Sequence, residues 1–229
     1  MESDNNISRE AIFYVKNNYK KITGIFIKDL LSEKNPISIF MAGSPGAGKT
    51  EISKRLIEVF GSNKIARIDP DDIRPFLPDY TGKNSHLFQA ASSIGVEKIH
   101  DFVLKNSISF ILDGTFSNYE KSKENVSRSL NKGRPVFVLY AFQKPSVAWE
   151  FTQKREIIEG RNIPKEAFIK QFILARENVN KIKEEFKDRI GLWIIKRDLH
   201  TNQYESNFDI QNVDDFICKE YNENDLKTL

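Results

Sequence analysis

The sequence predicts an α/β protein three layers deep, with five mostly parallel strands packed between helices and a helical lid. Three observations carry that prediction. The segment Gly43-Ser44-Pro45-Gly46-Ala47-Gly48-Lys49-Thr50 is a complete G-x-x-x-x-G-K-[ST] motif. It is flanked by the short apolar run Ile37-Ser38-Ile39-Phe40-Met41-Ala42 and by Ile52, Leu56 and Val59 or Phe60 at helical spacing. Beyond it, strand-like and helix-like segments alternate, the signature of a parallel sheet with its site at the carboxyl ends of the strands. Together these specify a P-loop, nucleotide-kinase-like core.

The motif has a physical reading. Its glycines let the backbone wrap closely around a polyphosphate, with successive N–H groups turned inward. Lys49 can reach the terminal phosphates, and the Thr50 hydroxyl can sit on a magnesium ion. The helix that follows adds the positive end of its dipole. ATP and Mg2+ are the expected cofactors, with Gly43, Ser44, Pro45, Gly46, Ala47, Gly48, Lys49 and Thr50 as the nucleotide cradle.

The remaining elements follow in order. Ile12, Val15, Tyr19, Ile22 and Phe26 recur every three or four residues and predict an amphipathic helix within residues 1–34. Gly24 weakens or bends it. That helix either packs on the core or offers a docking surface. Residues 35–196 form the expected kinase core. Lys64–Ile68 is a second strand, a helical stretch runs from about Asn84 to Lys105, and Ile108–Leu112 is a third strand. Tyr119–Asn131 reads as helix and Arg134–Ala141 as a fourth strand. Helix resumes near Ser146, breaks around Gly160 and restarts at Pro164, which suits a first helical turn. This break places a lid at about residues 152–166. Leu192-Trp193-Ile194-Ile195 completes the five strands. Residues 197–229 read as a polar tail with a weak helix near Val213–Tyr221.

Composition narrows the function classes. The chain has 229 residues, 39% of them hydrophobic, and a formal net charge of +3, too small by itself to indicate a nucleic-acid binder. Its lysines are scattered, which disfavours nucleic acid further. The longest apolar run, Val136–Phe142, is far short of a membrane span. The acidic, polar start Met1–Asn6 is unlike a signal peptide, so the expected home is the cytoplasm. A single cysteine, Cys218, excludes an internal disulfide and a cysteine zinc site.

Outside the P-loop, Asp69-Pro70-Asp71-Asp72-Ile73-Arg74 begins where the second strand ends. Asp71 and Arg74 share one face of a helical turn. A carboxylate there can accept the proton of an attacking hydroxyl, and the arginine can bind an acceptor's phosphate or orient the carboxylate. Asp113-Gly114-Thr115 closes an apolar strand at the place where an aspartate commonly helps hold magnesium. Arg155 and Arg161 flank the Gly160 break, where mobile arginines can close over a triphosphate. Glu97, taken alone, reads as a solvated helix residue. No N-K-x-D guanine-reading motif is present, since Asn131-Lys132-Gly133 continues into Arg134.

These residues resemble the zeta toxin family, bacterial kinases of toxin–antitoxin systems, over roughly Ile37 to Ile195. The resemblance rests on the P-loop, the Ile68-Asp69-Pro70-Asp71 strand end, Leu77-Pro78, the Asp113-Gly114-Thr115 triplet and the segment from Arg155 to Gly160-Arg161-Asn162-Ile163-Pro164-Lys165. It implies an ATP-dependent kinase acting on UDP-N-acetylglucosamine or a similar UDP-amino sugar, restrained by an antitoxin partner. Asp71 would be the catalytic base, Lys49 the phosphate clamp, and Arg155 and Arg161 the γ-phosphate arginines. Glu97, 16 positions before the triplet as in the family, would bind the sugar nucleotide together with Thr115. Arg74 and Asp113 complete the acceptor side, and Thr50 with Asp113 the metal side. Where one branch of the family has a basic residue past the triplet, this chain has Phe116-Ser117-Asn118. The Asp71-to-Arg74 run is similar to polynucleotide 5′-kinases as well. A non-catalytic nucleotide-binding module is the rival of another class.

Overall fold

Strand β1 (Ser38–Ala42) is buried at every position, and the sheet is built outward from it. The computed structural model describes residues 2–61, 63–160, 162–197, 203–217 and 221–229. Helix α1 (Glu2–Phe26) precedes β1, and α2 (Lys49–Phe60) leaves the P-loop toward β2 (Ile65–Ile68). The short α3 (Pro70–Ile73) and α4 (Gln89–Lys105) lead to β3 (Ser109–Leu112), then α5 (Tyr119–Leu130) to β4 (Val136–Phe142). Helices α6 (Pro145–Glu159) and α7 (Lys165–Phe186) precede β5 (Gly191–Arg197), β6 (Tyr204–Asn207) and α8 (Glu223–Lys227).

The strand order is β2-β3-β1-β4-β5-β6. The first five strands are parallel, with Ser38 opposite both Phe110 and Val136, and β6 runs antiparallel to β5. From β1 the chain moves outward to β2, and from β3 it crosses to β4 on the other side of β1. The loops after β1 and β3 therefore face one another at a topological switch point, where α/β proteins bind ligands.

Alternation along β1 sorts the two faces. Ile39 and Met41 pack with Ile52 of α2, Ile111 and Leu139. Phe40 and Ala42 pack with residues of α1, α4, α5 and α7, including Val15, Ile99, Val126 and Val179. Period-2 side-chain alternation is what makes both faces of one strand apolar here. A smaller cluster of Ala148, Phe168, Phe172 and Leu226 joins α6, α7 and α8.

Several details differ from the sequence reading. The sheet has six strands rather than five, because the polar tail contributes β6, whose Tyr204 ring lies between Arg55 and Arg197 at 5.4 and 5.7 Å. Edge pairing through the backbone does not need an apolar sequence, so hydropathy could not reveal it. Of the weak helix expected near Val213–Tyr221, residues 218–220 lie outside the described residues and the described part holds a 3₁₀ turn at Asp214–Phe216; an α-helix follows at Glu223–Lys227, where Asn222 forms a capping box with Asp225. Gly24 does not interrupt α1. The stretch from Asn84 opens as a 3₁₀ turn, Ser85–Phe88, before α4. Among the described residues no helix is long and apolar enough to cross a membrane.

His100 of α4 is buried between Phe40 and Phe110, with ring centroids 6.2 and 4.8 Å away. Burial, and then the charges of Arg128, Arg134 and Lys121, push its pKa down to about 3 from 6.5. The unfolded chain therefore takes up this proton first. Its contribution to stability is complete above pH 6.5 and is lost as pH falls toward 3. Between pH 7 and about pH 5 the native chain should lose about 2 kcal/mol more stability than the His100→Gln variant. Urea titrations at the two pH values measure this, and parallel losses would contradict it.

Candidate active site

The P-loop is held by close backbone approach. Gly43 and Gly46 have φ of 134° and 73°, in the region that favours glycine. A Cβ on Gly43 would lie 2.3 Å from the Ala141 carbonyl oxygen, and one on Gly46 would lie 2.0 Å from that of Ala148. The loop is therefore wedged between β4 and the first turns of α6. The Gly43 N–H donates to the Thr115 carbonyl at 3.2 Å, tying the cradle to the loop after β3. Lys49 opens α2, and its Nζ donates to the carbonyls of Gly43 and Ser44 at 2.9 and 2.7 Å. The ammonium thus lies across the mouth of the loop.

Asp69 and Asp113 emerge side by side, because Ile68 and Leu112 are register partners and the Asp113 N–H donates to the Ile68 carbonyl. Asp69 caps α3 by accepting from the Asp71 N–H at 2.8 Å. That cap, with Pro70 following it, turns the chain so that Asp71 projects from a new helical turn rather than from the strand. Burial, then the negative charges of Asp113 and Asp71, push Asp69 up to about 7 despite the nearby Arg67.

Asp71 is held between two arginines. Its Oδ1 accepts from Nη1 of Arg74, which is buried and donates through Nη2 to Gln89 at 2.8 Å. Its Oδ2 lies 3.6 Å from Nη2 of Arg155. Arg155 projects from α6 and also donates to Glu159. Burial lowers the Arg155 pKa, but the hydrogen bond and charge of Glu159, then Asp71 and Asp69, outweigh it and hold the guanidinium above its ordinary value. The lid helix ends at Gly160, in the left-handed conformation at φ 72°. It rests on the loop before α4, since a Cβ on Gly82 would lie 2.6 Å from the Glu159 carbonyl.

Asp71, Arg74, Arg155, Lys49 and the P-loop thus converge at the carboxyl ends of the strands. Other predicted residues stand differently. Ser53 links Asp113 to Thr50: its hydroxyl lies 3.0 Å from both Asp113 Oδ2 and the Thr50 carbonyl oxygen, with one proton for the two acceptors. Thr115 Oγ1 lies 2.8 Å from the Ser117 hydroxyl. Glu97 is on the outer part of α4, about half exposed, 3.6 Å from Lys121 Nζ. Arg161 lies outside the described residues.

Three residues escaped the sequence reading. Gln89 supports Arg74, Ser53 bridges Thr50 and Asp113, and Arg67 bonds Ser53, Asp69, Asp72 and Asp113. Only Arg67 left a readable trace: a cation inside a strand, two residues before Asp69 and so on the same side.

Residues 26–209 match the family model described as zeta toxin, most of the chain. The chain belongs to the zeta toxin family. Among solved structures, the PezAT chromosomal toxin–antitoxin system of Streptococcus pneumoniae aligns over 93% of this chain and 91% of its own, with 18% identity and a TM-score of 0.70. The AvrRxo1-ORF1:-ORF2 structure with ATP aligns over 94% and 69%, with 12% identity and a TM-score of 0.62. The Pnkp1/Rnl/Hen1 RNA repair complex follows at 17% identity and 0.52, covering 79% of this chain and half of that one. At these identities the likeness establishes the α/β fold. The search of curated protein sequences returns no match.

The wedge at Gly46 should be intolerant of any side chain. Gly46→Ala is expected to cost about 2 kcal/mol or more, through the contact with Ala148 and the unfavourable φ. A urea midpoint equal to that of the native chain would show that the loop can relax.

Proposed function

We propose that this zeta toxin family member is an ATP-dependent kinase. It transfers the γ-phosphoryl group to a hydroxyl of a small anionic acceptor, a UDP-amino sugar such as UDP-N-acetylglucosamine. The observation that carries the reading is Asp71: a carboxylate poised at the end of β2, beside the P-loop, flanked by one fixed and one lid-borne arginine. Phosphoryl transfer asks a protein mainly for positioning and charge neutralisation. This arrangement supplies both.

The P-loop amides and Lys49 hold the phosphate tail. Thr50, with Asp113, is the set that would hold magnesium, since hydroxyl and carboxylate oxygens suit a hard cation. Ser53 and Arg67 both bond Oδ2 of Asp113 and hold that carboxylate in place. When bound, magnesium would neutralise charge on the phosphate oxygens. Asp71 accepts the proton of the acceptor hydroxyl as it attacks. Arg74, braced by Gln89, fixes the direction of that carboxylate, and Arg155 with Arg161 neutralises the phosphoryl group in transfer. Glu97 and Thr115 are assigned to the acceptor on the family resemblance. Phosphorylating a cell-wall precursor would account for toxicity, and an antitoxin that obstructs the nucleotide site would account for its restraint.

The acceptor is found by incubating the protein with ATP, magnesium and a pool of UDP-sugars, nucleotides and oligonucleotides, then seeking the species that gains a phosphate mass. A UDP-amino sugar is expected; an oligonucleotide product would replace this reading with a polynucleotide kinase. Asp71→Asn should abolish most transfer while ATP affinity stays within about threefold, because a base touches the acceptor rather than the nucleotide. A collapse of ATP binding would reassign Asp71. Arg155→Ala should lower turnover on the order of 10³-fold with little change in ATP affinity, as arginine fingers do. Unchanged turnover would remove Arg155 from the reaction.

A further inference from the structure

Asp69 and Asp113 are almost fully buried and stand next to each other at the strand ends that face the P-loop. Two such carboxylates would repel an incoming triphosphate. Arg67 lies between them and the first turns of α2. Its Nη2 bonds both Asp69 and Asp113, the latter at 3.0 Å; its Nη1 bonds Asp72; and its Nε donates to Ser53 at 2.9 Å. Only 9% of the side chain is exposed. The planar fork of a guanidinium can serve these partners at once, where an ammonium could not. Because Nε holds Ser53, whose hydroxyl lies 3.0 Å from both Asp113 and the Thr50 carbonyl, the guanidinium is fixed relative to the cradle itself.

We propose that Arg67 is a positioning residue that acts as a resident cation: it fixes Asp113 and offsets part of the charge of the strand-end carboxylates, so that ATP binds before, and without, a divalent ion. This deepens the kinase reading and rests on it. Asp113, which with Thr50 would hold a divalent ion, is thereby already aimed and partly neutralised.

The experiment is an ATP titration by calorimetry on the full chain, in excess magnesium and again in EDTA. Wild type should bind in both. Failure of wild type to bind magnesium-ATP would defeat the kinase reading itself. Wild-type binding confined to magnesium would defeat the resident-cation role alone. In Arg67→Met, EDTA affinity should fall on the order of tenfold, the effect of an uncompensated charge beside the cradle, while excess magnesium restores binding to within about threefold of wild type. Magnesium rescue is the decisive readout, since damage to the fold would not be repaired by an ion. Equal EDTA affinities for wild type and variant, or a loss that magnesium leaves untouched, would overturn the proposal. Should Arg67→Met fail to fold, Arg67→Gln carries the same test: it removes the charge but keeps a polar group in the site, and an EDTA affinity equal to wild type, or a loss that magnesium does not restore, refutes the proposal.

Discussion

The site depends on how closely the P-loop backbone approaches β4 and α6. Gly43 and Gly46 sit where a single methyl group would enter the carbonyl oxygens of Ala141 and Ala148. Packing of that kind fixes the cradle against the sheet without help from any side chain. It also makes the lid helix part of the cradle. Helix α6 starts against Gly46, runs for 15 residues, and ends on the loop at Gly82, carrying Arg155 to Asp71 on the way. The P-loop, α6 and the loop before α4 are therefore linked by close backbone contacts.

Charge is arranged on this frame in two groups. Asp69 and Asp113 continue their strands and stay buried, where Arg67 meets them. Asp71 leaves the strand direction because Asp69 caps α3, and it meets Arg74 and Arg155 instead. One capping interaction thus separates a buried carboxylate from a more exposed one two residues away. The difference in burial follows: Asp69 is pushed up to about 7 by its surroundings, whereas Asp71 keeps a quarter of its side chain exposed.

Backbone-driven features were legible in the sequence, and side-chain networks were not. The P-loop, the parallel strands and the Gly160 break each left a local pattern, since glycine, β-branched runs and helical spacing report backbone conformation directly. Asp71 and Arg74 were legible because three-residue spacing on a helical turn fixes their common face. Gln89 was invisible: it reaches Arg74 across 15 residues of chain, by a route that depends on how α4 packs under α3. Ser53 looked like an ordinary helix residue because its partner, Asp113, lies 60 positions away. Strand β6 was missed for a related reason, since a polar edge strand is stabilised by pairing with β5 rather than by its own apolar content.

The same division separates two loops of the site. Steric exclusion at Gly43 and Gly46 sets the P-loop cradle, whereas the loop after β3 is held by a side chain. Phe116 adopts a left-handed φ of 63°, and its carbonyl accepts from the buried Asn178 of α7 at 3.0 Å. The loop after β3 is thereby pinned to α7 by a neutral hydrogen bond, and because the Gly43 N–H donates to the Thr115 carbonyl of the same loop, the P-loop is tied through it to α7.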